Sequence, residues 1–129
     1  MGESPANTKL PPPFLRRIMQ HAESNFQIAA VRLLRTYGFF CFSIPNGTRL
    51  SRSQARIAKA EGLLAGVSDV IILLRQKPVF VEFKTPAGRW TQQETQKTFE
   101  REVKARGYDY QIWDSWPQVE TFINEHRGK

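Results

Sequence analysis

The chain has few residues of the kinds that build disulfides or thiolate metal sites. Cys41 is its only cysteine, which excludes an intramolecular disulfide and a cysteine-ligated metal cluster. Its two histidines, His21 and His126, lie too far apart in sequence to form a local metal-binding motif. The sequence also lacks a membrane-length apolar run, which needs about 18 residues, and a basic-then-apolar signal pattern at its start. We therefore expect a cytoplasmic protein with no membrane partner.

Acidic residues are also scarce relative to basic ones. Twelve Asp and Glu stand against nineteen Lys and Arg, which gives a net charge of +7 and favours a polyanionic partner such as DNA. With 129 residues and 40% hydrophobic content, the chain is long and apolar enough for one globular domain. Residues 1–13 show no apolar periodicity, so we expect a flexible arm over residues 1–19 and a single domain over residues 20–129.

Hydrophobic periodicity and turn residues predict an α/β domain. The predicted helices cover residues 24–37, 51–64, 91–106 and a last segment opened by Pro117; the predicted strands cover 39–44, 67–74, 79–84 and 108–113. The inward stripe of the first helix is predicted to be Gln27, Ala30, Val31 and Leu34, with Glu23 one turn earlier on the same side. The strand–helix–strand unit over 79–113 predicts a right-handed parallel crossover, and hence a mixed central sheet flanked by helices.

Two neighbouring strands carry charges where buried strands usually carry none. Val67 to Leu74 and Val79 to Lys84 predict an antiparallel hairpin. With the turn centred between Gln76 and Lys77, Asp69 lies opposite Lys84 and Ile71 opposite Glu82. Because side chains alternate faces along a strand, Asp69, Glu82 and Lys84 then share one face. Two acids that hold a divalent metal beside a lysine are typical of a site that activates water.

A structural explanation of these charges stays open at the sequence level. Asp69 and Lys84 can form a simple ion pair while Glu82 lies at a solvated edge of the sheet. The shared face also depends on the register, because a slip by one residue moves Asp69 to the opposite face.

The third predicted helix brings a further polar residue toward these charges. Thr91 can cap this helix, with Glu94 completing a capping box. Gln96 shares a helical stripe with the apolar residues Phe99 and Val103, so it is predicted to point inward near Glu82 and Lys84. The alternative is that Gln96 only caps a carbonyl at the edge of the core.

The second predicted helix presents basic residues on one face. Arg49, Arg52, Arg56 and Lys59 recur at helical spacing, and no acid follows until Glu61. Such a face is often only solvated. Its position directly before the Asp69 strand, however, favours contacts with DNA phosphates near the predicted site.

The ordered set of these residues resembles the PD-(D/E)xK nucleases, and more specifically a stand-alone VRR-NUC domain. Asp69 followed by Glu82-Phe83-Lys84 matches the superfamily pattern, and the resemblance spans about residues 20–115. The other matching elements are Glu23 with Gln27, Pro45-Asn46-Gly47, Gly62, Gly66-Val67-Ser68-Asp69, Val81-Glu82-Phe83-Lys84-Thr85, Gly88, and Gln96 followed by Gly107. The departures are Ser68 in place of the proline before the aspartate and a slightly long stretch over residues 90–95.

This resemblance implies a restriction-endonuclease-like αβββαβ core and an Mg²⁺-dependent DNA endonuclease. Asp69, Glu82 and the Phe83 carbonyl would hold Mg²⁺ or Mn²⁺, and Glu23 would contact the metal or a second ion. Lys84 would orient or deprotonate the attacking water, and Gln96 would position Lys84 or the water. Family members of this type resemble homodimeric enzymes that cut branched DNA such as Holliday junctions.

Two alternatives to a junction endonuclease remain at this stage. One is a non-catalytic DNA-binding or junction-recognition module with the same fold. The other is a restriction-type endonuclease that reads a specific duplex sequence. The complete set of Asp69, Glu82 and Lys84 argues against the binding module, since a pure binder does not need these acids.

A homodimer is also expected. A two-fold symmetric junction needs two active sites, and one chain carries one. Five aromatic residues, Phe39, Phe40, Phe42, Trp113 and Trp116, are predicted to form an exposed interface. The alternative is that all five rings lie inside the core.

Overall fold

The computed structural model describes residues 23–45, 50–84 and 92–128, with the side chains of Glu23 and Ser24 excepted. The predicted arm over residues 1–19 and the predicted phosphate contact Arg49 lie outside the described residues. The helices are α1 (Glu23–Thr36), α2 (Arg52–Ala60), α3 (Glu94–Ala105) and α4 (Trp116–His126); the strands are β1 (Phe40–Ser43), β2 (Val70–Leu73), β3 (Pro78–Phe83) and β4 (Asp109–Trp113). Within these three ranges, no helix is long and apolar enough to span a bilayer.

The four strands form one mixed sheet in the order β1-β2-β3-β4. The β1–β2 and β2–β3 pairs are antiparallel, whereas β3 and β4 are parallel and are connected through α3. The α/β class and the mixed sheet predicted from the sequence are therefore confirmed.

One face of the sheet packs against α1 and α4 and forms the main core. Alternate strand residues point to this face. The core residues are Phe26, Ala29, Ala30 and Leu34 of α1, Cys41, Val70, Ile72, Val79, Val81, Phe83 and Trp113 of the sheet, and Trp116, Val119, Phe122 and Ile123 of α4. The spacing of Val119, Phe122 and Ile123 predicts that they form the inner face of the last helix, and the burial of all three confirms this prediction.

The opposite face is covered unevenly by the described elements. Over β3 and β4, the Phe99 ring of α3 packs 5.6 Å from the Phe80 ring and 6.1 Å from the Tyr110 ring. Over β1 and β2, by contrast, Phe40 and Leu73 are 67% and 44% exposed. This face therefore has an apolar half open to solvent.

Helix α1 is rotated relative to its predicted inward stripe. Ala30 and Leu34 are buried as predicted. Gln27 and Val31, which were also predicted to face inward, are only half-buried, and Phe26 and Ala29 are buried in their place. The cause is Phe26, whose ring packs edge-on against the Phe83 ring at a centroid distance of 5.4 Å. The largest apolar side chain of the helix thus sets its orientation.

The hairpin register differs by two residues from the predicted one. Val70 lies opposite Val81 and Ile71 opposite Phe80. The turn is tighter than predicted because the Leu74 N–H donates to the Lys77 carbonyl at 3.0 Å. Pro78, predicted as part of the turn, is instead the first residue of β3, a position where its missing N–H is tolerated. A shift of two residues leaves every side chain on its predicted face.

Two helix boundaries also differ from the predictions. Helix α2 ends at Ala60, before the predicted residue 64, because the Leu63 N–H turns back to the Ala58 carbonyl and closes the helix end. Helix α3 begins at Glu94 with Gln93 as its N-cap residue, and not at Thr91, which lies outside the described residues.

The predicted aromatic interface is wrong in part. Trp113 and Trp116 are 1% and 7% exposed, and both belong to the core. Phe39 packs against that core, whereas Phe40 is exposed and its ring lies 6.1 Å from the Phe42 ring. For the two tryptophans, the alternative of burial in the core is the correct one.

Strand β1 is at the edge of the sheet, and a side chain of α1 reaches it. The Ile44 N–H donates to the Asp69 carbonyl, so the alternation of an antiparallel pair turns the Cys41 backbone away from β2. The Arg35 guanidinium donates to the Cys41 carbonyl at 3.0 Å. One outward-facing acceptor of the edge strand is thereby satisfied.

Candidate active site

The two predicted acids meet at one end of the β2–β3 hairpin. Val70 pairs with Val81, so one further step of this register places Asp69, which directly precedes β2, opposite Glu82 of β3. Both project from the sheet face that also carries Phe80, the face opposite the α1–α4 core. The shared face predicted from the sequence is confirmed, with a closer pairing of the acids than predicted.

The Asp69 carboxylate is held by the neighbouring strand. Its Oδ2 accepts a hydrogen bond from the Phe83 backbone N–H at 2.8 Å, and the carboxyl lies close enough to that of Glu82 for the two groups to interact. Burial raises the pKa of Asp69, while the Phe83 amide, the Lys84 charge and the interaction with Glu82 offset part of this rise. Two carboxyl groups this close need a proton or a cation between them, because two ionised carboxylates repel each other.

Gln96 joins the other two predicted residues. Its Nε2 donates to Glu82 Oε2 at 2.9 Å, and its Oε1 accepts from Lys84 Nζ at 3.1 Å. The Lys84 ammonium also lies 3.6 Å from Glu82 Oε2. The amide is oriented by this chemistry, since its oxygen must face the ammonium and its nitrogen the carboxylate. The structure therefore brings Asp69, Glu82, Lys84 and Gln96 into one contiguous network.

The first turn of α3 fixes where Gln96 lies. Gln96 Oε1 also accepts from the backbone N–H of Gln93, the N-cap residue, at 3.0 Å. The side chain thus satisfies a backbone donor at the helix start and contacts the charged pair at the same time. Of the two alternatives, the inward position of Gln96 near Glu82 and Lys84 is confirmed. Gln96 also caps the helix, but its side chain accepts from a backbone N–H and does not donate to a carbonyl.

The simple ion-pair explanation of the charges does not hold. The close partner of the Lys84 ammonium is Glu82, and not Asp69. The Glu82 side chain is only 4% exposed and that of Lys84 12%, so Glu82 does not lie at a solvated edge. Burying a charged side chain to this extent costs on the order of several kcal/mol of desolvation free energy, unless a partner compensates the charge.

The acidic side chains of this site also affect a tyrosine on the neighbouring strand. Burial, together with the charges of Glu82 and then Glu100, raises the pKa of the Tyr110 hydroxyl of β4. The phenol therefore stays neutral at any physiological pH. Tyr110 was not predicted as part of the site, and its register position opposite Phe80 is the observation that places it there.

The donor set fits a hard divalent cation. Asp69 and Glu82 offer carboxylate oxygens, the ligand type that Mg²⁺ and Mn²⁺ prefer, and the Phe83 carbonyl follows Glu82 directly in the chain. The described residues contain no group of three or more His, Cys, Asp or Glu placed to hold a metal. Glu23 opens α1, which packs on β3, but its side chain lies outside the described residues, so its predicted contact with the metal stays a prediction.

The basic face of α2 is exposed. Arg52, Arg56 and Lys59 are all accessible to solvent, and α2 buries none of its residues. Ser51 caps the helix by accepting from the Gln54 N–H, which stabilises its first turn. The segment that follows α2 leads directly into Asp69.

Two contacts at the site could not be found from side-chain patterns. The Phe83 N–H that holds Asp69 is a backbone group, and only the correct hairpin register reveals it. Gly66, three residues before Asp69, lies against the backbone of Thr95 and Gln96. The sequence signal for Gly66 was its place in the family motif, which assigned it no role.

We compared the chain with models of protein families, with curated proteins and with solved structures, and no family, protein or structure matched.

Proposed function

We propose that this protein is a metal-dependent DNA endonuclease of the PD-(D/E)xK type, similar to stand-alone VRR-NUC domains. The observation that carries the proposal is the network of Asp69, Glu82, Gln96 and Lys84 at one end of the sheet. The order α1-β1-β2-β3-α3-β4 supports it, because it agrees with an αβββαβ core once α2 and α4 are taken as additions.

The side chains of the network fit distinct roles in phosphodiester hydrolysis. Asp69 and Glu82, with the Phe83 carbonyl, would hold Mg²⁺ or Mn²⁺, and the Phe83 N–H keeps the Asp69 carboxylate oriented. When bound, the cation supplies charge stabilisation at the phosphate and lowers the pKa of an attacking water. Lys84 orients that water or stabilises the developing negative charge, and Gln96 keeps the ammonium in place through its amide oxygen.

A DNA substrate is supported by charge. The net charge of +7 favours a polyanion, and Arg52, Arg56 and Lys59 form an exposed basic face on the helix that precedes Asp69. Branched DNA such as a Holliday junction is the proposed substrate. It requires two active sites, and hence a homodimer, since one chain carries one network.

The reaction is tested with end-labelled junction, flap and plain duplex DNAs of the same sequence. Each is incubated with protein in Mg²⁺, in Mn²⁺ and in EDTA, and the products are separated on a denaturing gel. We expect metal-dependent cleavage of the junction above that of the duplex. Binding without cleavage in either metal would favour the recognition module, and equal cutting at one duplex sequence would favour the restriction-type enzyme.

Lys84→Ala separates chemistry from binding. Because its ammonium is proposed to act on the transition state, we expect kcat to fall by about 100-fold or more while DNA affinity stays within about twofold. Lys77→Ala, which removes an exposed lysine at the tip of the hairpin, is the matched control and should keep the wild-type rate. Wild-type cleavage by Lys84→Ala would show that the site is assigned wrongly.

A further inference from the structure

Gly66 makes the closest approach between the segment before β2 and helix α3. It has a φ of +89°, a conformation that residues with a side chain rarely adopt. A Cβ atom placed at Gly66 would lie 2.3 Å from the Thr95 carbonyl oxygen, 2.4 Å from the Thr95 carbonyl carbon and 2.8 Å from the Gln96 nitrogen. All three neighbours are backbone atoms, so no side-chain rotation can relieve the overlap.

This contact joins the two halves of the proposed active site. Gly66 lies three residues before Asp69, on the segment that leads into β2. The backbone it touches belongs to Gln96, whose side chain bonds both Glu82 and Lys84. A side chain at Gly66 would therefore not fit at the distance at which the first turn of α3 lies from this segment.

We propose that Gly66 is a positioning residue that places the Gln96 amide between Glu82 and Lys84. The inference rests on the proposed function for its kinetic consequence, though not for its geometry. Any Cβ at Gly66 requires the first turn of α3 to withdraw by about 1 Å before ordinary van der Waals distance is restored. The Gln96 hydrogen bonds, at 2.9 Å and 3.1 Å, would be lengthened beyond hydrogen-bonding range by such a withdrawal.

The test compares Gly66→Ala with Gly107→Ala. Gly107 has nearly the same backbone conformation, with a φ of +84°, and follows the other end of α3, but a Cβ there meets nothing within 4 Å. Both variants carry the conformational cost of alanine at positive φ, and only Gly66→Ala adds the overlap. We expect Gly66→Ala to lower kcat by about 100-fold at unchanged KM, in line with a displacement of about 1 Å. Gly107→Ala should keep the wild-type kcat.

A double-mutant cycle with Gln96→Ala tests whether Gly66 acts through Gln96. If it does, Gly66→Ala lowers kcat in the wild-type background and has no further effect once Gln96 is alanine. Independent, multiplying losses would overturn the proposal. So would a Gly66→Ala chain that fails to fold under conditions where Gly107→Ala folds, because the contact would then be one of stability alone.

A spectroscopic readout keeps this inference distinct from the proposed function. In ¹⁵N–¹H spectra, the Gln96 side-chain amide is assigned by its absence in Gln96→Ala. We expect its resonances to shift toward solvent-like values in Gly66→Ala and to stay in place in Gly107→Ala. If the wild-type protein cuts no DNA and Gly66→Ala still shows this shift, the nuclease is refuted and the positioning role is retained. Unmoved resonances in Gly66→Ala would refute the positioning role whatever the activity.

Discussion

At the scale of single residues, burial and the neighbouring groups of Asp69 shift the pKa of its carboxyl in opposite directions. Burial raises the pKa of its carboxyl above the ordinary value of 3.8, despite the Phe83 amide and the Lys84 charge. The folded chain therefore holds this proton more tightly than the unfolded chain does. The stabilising contribution is complete below pH 3.8 and is lost as the pH rises through the raised pKa.

We expect Asp69→Asn to remove this loss in the metal-free protein. Asparagine keeps an acceptor oxygen for the Phe83 N–H and an amide that can donate to Glu82, but it cannot ionise. In urea unfolding with EDTA, wild-type stability should fall from about pH 4 toward neutral pH more steeply than that of Asp69→Asn. Glu94→Gln, which removes an exposed acid, should follow the wild-type curve.

Metal addition provides the complementary half of this prediction. At a cation concentration of 100 times Kd, the wild-type protein should gain about 2.7 kcal/mol of stability, while Asp69→Asn gains little. Parallel pH curves for the two proteins would show that the Asp69 proton does not stabilise the fold. Equal stabilisation of both by Mg²⁺ would show that Asp69 does not hold the cation.

At the scale of elements, the orientation of α1 depends on one ring. Phe26 is buried and packs on Phe83, whereas the adjacent Gln27 is half-buried. We expect Phe26→Ala to lower the free energy of unfolding by about 3–5 kcal/mol. Gln27→Ala, the matched neighbour, should lower it by under about 1 kcal/mol. Chemical denaturation measures both, and a larger loss for Gln27→Ala would restore the stripe predicted from the sequence.

The basic face of α2 gives a second prediction at this scale. If Arg52 and Arg56 each contact a phosphate, replacing both by alanine should weaken DNA binding and reduce the slope of log K against log salt by about 1.8. Turnover at saturating DNA should change little. Replacing Arg101 and Arg106 of α3 removes the same charge elsewhere and is the control. Equal losses in the two double variants would assign the effect to net charge alone.

Elements were predictable where a local pattern determines them. Strands with apolar runs and helices with an apolar stripe were found because each must bury one face, and the last helix, with Val119, Phe122 and Ile123, is the clearest case. The errors lie where a hydrophobic pattern carries no signal. The rotation of α1 depends on a contact with the distant residue Phe83. The hairpin register and the start of α3 depend on local hydrogen bonds, from the Leu74 N–H to the Lys77 carbonyl and from the Gln93 N–H to the Gln96 side chain.

The candidate site shows the same division. Because side chains alternate between the two faces along a strand, Asp69, Glu82 and Lys84 were correctly predicted to share one face. A register error of two residues does not change this prediction. Gln96 followed from its stripe with Phe99 and Val103. The closeness of Asp69 to Glu82 was not predictable, because it required the correct register and the backbone donor of Phe83.

At the scale of the whole molecule, the apolar half of the open sheet face is the proposed dimer contact. Phe40 and Leu73 are its most exposed members, and they lie on the same face as the acids. At micromolar concentration, sedimentation should give twice the chain mass of 14.9 kDa. We expect Phe40→Asp to give a monomer, because a buried interfacial charge is costly. Ile28→Asp, which alters an exposed apolar residue of α1, should leave the dimer intact.

A monomeric wild-type protein that cuts both opposing strands of a junction in one binding event would refute the dimer. A Phe40→Asp protein that remains dimeric would instead place the contact elsewhere on the surface.

The bond from the Arg35 guanidinium to the Cys41 carbonyl has a consequence for self-assembly. An open edge strand is a template on which identical chains can stack into an unlimited β-ladder. β1 is short, and one of its outward acceptors is already taken by a charged side chain. Because the exposed Phe40 lies on the same strand, we expect the Arg35 side chain to lower the tendency of β1 to pair with the edge strand of a second chain.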